Sequence, residues 1–359
     1  MEALRRLALR LFPGGVVEEI APLGDDVAAA ALIDATRKGT GYGVPVRIRV
    51  RDAAGARHAL VFHTARGDDY GHDRRADRAA EMLLAFDTYG RVPHHAAALD
   101  VGFLDADGDT RSVAHTGEPY LVTAWIEGDL YADDLRRIAL HGADDRDRRR
   151  VDALADYLAA LHRARGGRPA VYTRAVRDLV GSGEGIFGMI DGYPADVPSA
   201  PPARLLALEE RCLAWRWKLR GHEGRLCTTH GDFHPFNLLF RGETELALLD
   251  ASRGAAGEAA DDLTALAVNY VFFALDRPGA WARGLGELWH RLWHRYLDAT
   301  GDRELLAVAP PWLAWRALVV ANPRWYPGLS AGGRDRLLAW VEATLDGALE
   351  VDGADRVPP

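Results

Sequence analysis

Cysteine is nearly missing from this chain: its 359 residues include two, Cys212 and Cys227. Two thiols give no disulfide framework, and Cys227 lies in an apolar stretch where a buried thiol is expected. Lysine is as scarce, with Lys38 and Lys218 alone, so arginine supplies almost all of the 44 basic side chains. No apolar run reaches ~18 residues, the length a membrane-spanning helix needs. The first ten residues carry charges throughout and lack the apolar centre of a signal peptide, so the expected location is cytoplasmic. With a net charge of −8 and no basic stripe, neither nucleic acid nor a membrane is expected as a partner. There is no internal repeat, and no low-complexity tract beyond an alanine bias.

What is there is an ordinary globular balance, 48% hydrophobic and 27% charged, long enough for one large domain or two lobes. Residues 2–12 alternate apolar and basic side chains at helical spacing. Residues 26–36 are alanine-rich and favour helix by propensity, with a strand as the alternative. Val46-Arg47-Ile48-Arg49-Val50-Arg51 alternates strictly, as a half-buried strand does. After a turn at Ala53-Ala54-Gly55, residues 58–64 pair back as the second strand of a hairpin. A polar loop over 67–71 leads to a helix over 74–89, with Ala79, Met82, Leu83 and Phe86 on one face. Residues 120–126 form a continuous apolar stretch, expected as a strand stopped by Glu127-Gly128. Helical patterns follow at 148–165, 201–219, 262–275, 281–297, 311–320 and 333–349. Linkers are expected at 191–202 and 321–328, and a disordered tail at 352–359. The acidic clusters Asp133-Asp134 and Asp144-Asp145-Asp147 suit solvated helix ends. The seven tryptophans from Trp281 to Trp340 suit helix interfaces.

One segment interrupts the helical part. His230-Gly231-Asp232-Phe233-His234-Pro235-Phe236-Asn237 suits a tight loop, Leu238-Leu239-Phe240 a short strand, and Arg241-Gly242-Glu243 a turn. Leu246-Ala247-Leu248-Leu249 is then a second strand, ending on Asp250. Asp232 and Asn237 are five residues apart, the interval of the protein-kinase catalytic loop. Phosphoryl transfer needs one carboxylate at the attacking hydroxyl. It also needs an amide oxygen and a second carboxylate to hold magnesium against the phosphates. His230 and His234 have the spacing of a zinc pair, but Gly231 and Pro235 oppose the helix such a pair uses, and no third ligand is evident.

On His230-Gly231-Asp232-x-His234-x-x-Asn237 followed by Asp250, the chain resembles the aminoglycoside phosphotransferase (APH) group of kinase-like enzymes, which includes choline, homoserine, fructosamine and macrolide kinases. The resemblance runs from about residue 154 to residue 266. Leu158-Ala159-Ala160-Leu161-His162 is similar to a helix end common there, and Asp261-Asp262-Leu263 to an Asp-Leu pair that follows the metal-binding Asp. It implies an α+β, two-lobed protein-kinase-like fold. A small mixed N-lobe over 1–128 would cover the nucleotide, a large helical C-lobe over 129–350 would carry the catalytic loop, metal site and substrate region, and 351–359 would be a flexible tail. The implied reaction is ATP-dependent (or GTP-dependent) phosphorylation of a hydroxyl on a small molecule, with Mg2+. The acceptor would be aminoglycoside-like, a sugar, an amino alcohol or another natural product. Asp232 is then the catalytic base, and His230 holds the catalytic loop by hydrogen bonding. Asn237 and Asp250 are metal ligands, and adenine meets hinge backbone at Thr123, Ala124, Trp125 and Ile126. The acceptor is expected between the catalytic loop and the C-terminal helices.

The lysine that the pattern places on an N-lobe strand, against the α- and β-phosphates, is not there. His63 stands in its position, with Asp77 or Glu81 on the next helix as acidic partner. A protonated imidazole imitates lysine in part; the alternative is that His63 packs at a strand end. Lys38, beside Gly39-x-Gly41-x-Gly43, is the other candidate. That glycine triple is either a phosphate loop or a linker, and the loop 66–75 offers Arg74 or Arg75 instead. His162 suits a capping or packing role. Two other functions use the same residues: a nucleotide-binding pseudokinase or regulatory protein, motivated by the missing lysine, and a nucleotidyl transferase.

Overall fold

The computed structural model describes residues 1–22, 45–251 and 253–352. The chain divides into two compact units, Met1–Thr123 and Ala124–Pro359. Lys38, the glycines at 39, 41 and 43, and the alanine-rich stretch 26–36 lie outside the described residues.

The first unit is built on an antiparallel sheet in the order β1-β2-β3, made of β1 (Val16–Pro22), β2 (Val46–Arg51) and β3 (Arg57–Phe62). Strict alternation does in β2 what the pleat requires: Ile48 and Val50 are buried while Arg49 and Arg51 are exposed. The outward arginines meet acids of β1, Arg49 to Glu19 at 3.0 Å and Arg51 to Glu18 at 3.1 Å. On the inner side, Ile48 and Val50 pack with Val17 and with Ala8 of α1 (Glu2–Leu11) in a small core. β1 escapes the alternation test because a bulge shifts its register between Val17 and Glu19. α2 (Arg75–Tyr89) opens where the Asp77 carboxylate accepts the Arg74 N–H at 2.9 Å. A short hairpin, β4 (Gly102–Leu104) and β5 (Thr110–Ser112), follows. Its turn is organised by Asp105 Oδ1, which accepts the N–H groups of Asp107 and Asp109.

The apolar run 120–126 is not a strand. It has no ladder partner among the described residues, and Tyr120, Leu121, Val122 and Trp125 are exposed. A strand exists only where a neighbour takes its backbone groups, and pairing begins later, at Asp129.

The second unit is mostly helical around a small sheet. β6 (Asp129–Leu130) leads into α3 (Tyr131–His141), α4 (Asp145–Leu161), α5 (Pro169–Gly181), α6 (Ile186–Asp191) and α7 (Pro202–Lys218). The hairpin of β7 (Leu238–Arg241) and β8 (Glu245–Leu248) joins β6 in the order β6-β7-β8. Then come α8 (Ala259–Ala274), α9 (Gly286–Thr300), α10 (Leu305–Val308), α11 (Pro310–Ala321) and α12 (Ala331–Leu345). α8 and α11 are buried at nearly every position, as helices apolar on all sides must be. Trp289, Trp293 and Trp312 are among the largest fully buried side chains and fill helix interfaces, where truncation to alanine costs about 3–5 kcal/mol, whereas Trp325 is exposed. Two of the acids expected at solvated helix ends are buried instead. Asp134 pairs with Arg150 and Arg146, and Asp147 with Arg137. Among the described residues, no helix is long and apolar enough to cross a membrane.

Candidate active site

The loop 230–237 is held from below by one carboxylate. Asp262, in the first turns of α8 and fully buried, accepts the His230 N–H at 2.8 Å through Oδ2 and the Gly231 N–H at 2.8 Å through Oδ1. Hydrogen bonds to a charged group contribute about 1.5–3 kcal/mol each. The imidazole of His162, at the end of α4, bonds Asp262 Oδ2 through Nε2 at 3.1 Å, and its Nδ1 bonds the Tyr296 hydroxyl at 2.9 Å. Gly231 has φ of +80°, and a Cβ there would stand 3.2 Å from the Arg253 Cβ and 3.4 Å from the Gly254 carbonyl oxygen. The left-handed turn and the close backbone both call for glycine.

Above that clamp the loop is tied to itself. His230 Nδ1 accepts the Asp232 N–H at 3.2 Å, and His234 Nδ1 accepts the Phe236 N–H at 3.2 Å. With Nδ1 accepting, the neutral His234 ring carries its proton on Nε2, 3.4 Å from Asp232 Oδ2. Asn237 Nδ2 donates to the Asp232 carbonyl at 3.1 Å. The hairpin that follows is bolted to α4 by buried Arg150. Its guanidinium donates to the carbonyls of Gly242 at 2.7 Å and Glu243 at 3.1 Å, and lies 4.4 Å from the centre of the Phe240 ring.

Arg316, on α11, completes the arrangement. Nη1 donates to Asp232 Oδ1 at 2.6 Å, and Nη2 to the Gly231 carbonyl at 2.8 Å and to Asp261 Oδ1 at 2.5 Å. The motif around residue 230 gives no hint of it. The available signal is a lone arginine inside the apolar run 311–321, since a buried charge requires partners. Arg253 Nε lies 4.0 Å from Asp232 Oδ1, and the Arg253 guanidinium stacks over Trp315.

These charges fix the ionisation of the site. Burial raises the Asp232 carboxyl, but the hydrogen bond from His234 and the positive charges of Arg316 and Arg253 outweigh it and hold the group well below the usual carboxylate range. For Asp261, burial dominates. With the repulsion of Asp262 it outweighs the attraction of Arg316 and pushes the carboxyl up to about 6. Asp232 Oδ1 is therefore occupied by Arg316. Oδ2 has only long contacts, 3.4 Å to His234 and 3.5 Å to Asn237, and retains capacity to accept a hydrogen bond.

Asn237 and Asp250 come together through the hairpin. The Leu249 N–H donates to the Asn237 carbonyl at 2.9 Å, so Asp250 follows directly on the residue opposite Asn237. Asp250 is exposed with φ of +51°, a left-handed conformation that Asp tolerates better than most residues. Among the described residues no hydrogen bond uses Asn237 Oδ1 or the Asp250 carboxylate, and the Asn237 amide nitrogen is committed elsewhere. An amide oxygen and a carboxylate without hydrogen bonds are both hard donors, of the kind a hard divalent cation takes.

In the first unit, His63 lies just past the end of β3, exposed, with no partner among the described residues. The ring that reaches Glu81 is His72, at 3.5 Å, which also bonds Asp68 at 3.0 Å. The division between the units falls between Thr123 and Ala124. Among the described residues, no backbone hydrogen bond uses Thr123, Ala124, Trp125 or Ile126, and the Trp125 indole N–H donates to Glu127 at 2.7 Å. Cys212 and Cys227 are buried, and burial pushes both thiols up to about 12.

The class defined by this fold and loop is that of the two-lobed, α+β, protein-kinase-like enzymes. The chain belongs to the APH phosphotransferase enzyme family, whose model matches residues 47–298, and is a phosphotransferase with an alcohol group as acceptor. Similar solved structures include a glucosamine kinase (17% identity, 94% of this chain and 96% of that one, TM-score 0.41). An ethanolamine kinase of Plasmodium vivax (11%, 84% and 79%, 0.37) and a choline kinase of Streptococcus pneumoniae (14%, 96% and 98%, 0.35) are also similar. The family assignment rests on the match over residues 47–298. No curated protein sequence matches the chain.

Proposed function

We propose that this protein transfers the terminal phosphate of ATP to a hydroxyl of a small molecule, with Asp232 as the group that receives that hydroxyl. The observation that carries the proposal is the state of Asp232: ionised, one oxygen fixed by Arg316, the other with only long contacts. A carboxylate so acidic is a weak base toward an alcohol. Phosphoryl transfer through a loose transition state asks little of the base before the bond to phosphorus forms, so Asp232 aims the hydroxyl and takes its proton late. Asn237 Oδ1 and the Asp250 carboxylate would hold Mg2+. Held by these two side chains, Mg2+ would supply positive charge to offset that of the phosphates. His230 keeps the loop in shape through the Asp232 N–H. The uncommitted backbone of Thr123, Ala124, Trp125 and Ile126 suits an adenine edge, and His63 or Lys38 is left to meet the phosphates. The acceptor is a sugar, an amino alcohol, an aminoglycoside-like compound or another natural product.

ATP turnover over a library of hydroxyl compounds, read by product mass, tests this. A gain of one phosphate on an acceptor is expected. A gain of a nucleotide would make the protein a nucleotidyl transferase. Asp232→Asn should keep ATP binding and lower turnover about a hundredfold or more, the scale of losing a general base.

A further inference from the structure

A second cluster of ligating side chains lies away from the phosphotransferase loop, on α9. This helix has three distinct faces. Trp289, Leu292, Trp293 and Tyr296 are buried in the core. Arg291 and Arg295 pair with Asp152 and Asp156 of α4, both at 2.7 Å. His290 and His294, one turn apart, occupy a third face, His290 half-buried and His294 exposed. In a helix, an i, i+4 pair places both rings side by side.

The segment after α12 brings a carboxylate to that pair. Its path is fixed at two points: the Leu349 N–H donates to the Leu306 carbonyl at 2.9 Å, and the Trp289 indole N–H donates to the Val351 carbonyl at 3.2 Å. Leu349 and Val351 are buried. Asp352 follows directly and accepts a hydrogen bond from His294 Nε2 through Oδ1 at 2.7 Å. One ligand atom from each of His290, His294 and Asp352 lies within 4.8 Å of the other two. Around a tetrahedral ion with bonds of ~2.0 Å, ligand atoms stand ~3.3 Å apart, so each pair in this set has at most about 1.5 Å to close. The two guanidiniums nearest in sequence, Arg291 and Arg295, are already matched by carboxylates and oppose a cation little.

We propose that His290, His294 and Asp352 form a site for a divalent first-row transition ion, zinc foremost, that fastens the chain's C-terminal segment to α9. Two imidazoles and one carboxylate select zinc, nickel or copper over magnesium, which prefers oxygen donors. The site is therefore chemically separate from the Asn237 and Asp250 pair, and it stands whether or not the proposed phosphotransferase mechanism does.

The test is calorimetric titration of zinc chloride into tag-free full-length protein, with excess magnesium present to occupy oxygen-rich sites. One zinc per chain is expected. His294→Ala and Asp352→Asn should each weaken binding about tenfold or more. Both residues are exposed, at 47% and 73% of their side-chain surface, so the variants should fold, and their melting temperatures without zinc check this. Limited proteolysis should find the C-terminal segment better protected with zinc in the wild type and unchanged in the variants. If wild type and the double variant His290→Ala/His294→Ala take up zinc alike, or the wild type takes up none, the three residues form an ordinary His–Asp hydrogen bond only.

Discussion

Arg316 and Asp232 are 84 residues apart in the chain and 2.6 Å apart in the fold, and the same guanidinium holds Asp261 and the Gly231 carbonyl. One buried cation thus serves two carboxylates and the backbone of the loop. Removing it leaves Asp261 without its ion pair and Asp232 with only the longer contacts to His234 and Arg253, and an uncompensated buried charge costs far more than the pairing itself contributes. Arg316→Met should destabilise the protein by about 3–5 kcal/mol, measured by denaturant unfolding. Arg316→Lys should recover only part of that, because a single ammonium cannot span three acceptors in a planar fork. A loss under about 1 kcal/mol in the methionine variant would show that solvent, not Arg316, compensates these carboxylates.

Asp261 gives the site a pH signature. Its folded carboxyl stands at about 6, above the ordinary 3.8. A group raised on folding binds its proton more tightly in the folded state. Its favourable contribution is complete below the unfolded value and disappears as pH rises through the folded one. The melting temperature of the wild type relative to Asp261→Asn should fall between about pH 4 and pH 6 and level off above. A difference that rises with pH across that window would mean that Arg316 keeps Asp261 ionised in the folded state, and a constant one that folding leaves its proton affinity unchanged.

How much of this was legible in the sequence follows from distance along the chain. The Asp232-to-Asn237 interval, the Gly242 turn and the strand ending at Asp250 lie within 21 residues, and local spacing fixes such a hairpin. The strand at 46–51 was legible because one face is buried and the other is not, and its neighbour at 57–62 alternates half-buried and exposed positions. β1 was hidden by its bulge and the β4–β5 hairpin by its exposed side chains. The run 120–126 misled in the opposite way: apolar composition suggested a strand, but no neighbour pairs with it among the described residues. Asp134 and Asp147 were misplaced at the surface because their arginine partners lie up to 16 residues away and on other elements. Arg316 and Arg253 reach Asp232 only through the packing of α11 and the loop after β8, which no local pattern encodes.

Asp250 carries the proposed metal role, and its left-handed backbone guides the choice of substitution. Asparagine keeps the tolerance for positive φ and removes the charge. Wild-type protein should gain about 2.7 kcal/mol of stability from ATP with magnesium at a hundredfold excess over the dissociation constant. Asp250→Asn should lose most of that gain while melting like the wild type without ligand. Undiminished stabilisation by ATP and magnesium in the variant would remove Asp250 from the metal site. Chelation of magnesium by EDTA should reproduce the effect of the variant in the wild-type protein.

The phosphate contact separates two positions in the first unit. His63 is exposed at the end of β3 without a partner among the described residues, and Lys38 lies outside them. If His63 makes the contact, it does so as an imidazolium, and ATP affinity should be weaker at the higher of two pH values, where fewer rings carry the charge. His63→Ala should then abolish that pH dependence, and His63→Lys should keep ATP binding at both values, because an ammonium stays charged. If Lys38 makes the contact, Lys38→Ala should weaken ATP binding equally at both pH values, and His63→Ala should be nearly silent. ATP affinity of the two alanine variants at the two pH values distinguishes the cases. If both variants bind as the wild type does, the phosphates are held by Arg74, Arg75 or loop amides, and neither His63 nor Lys38 replaces the missing lysine.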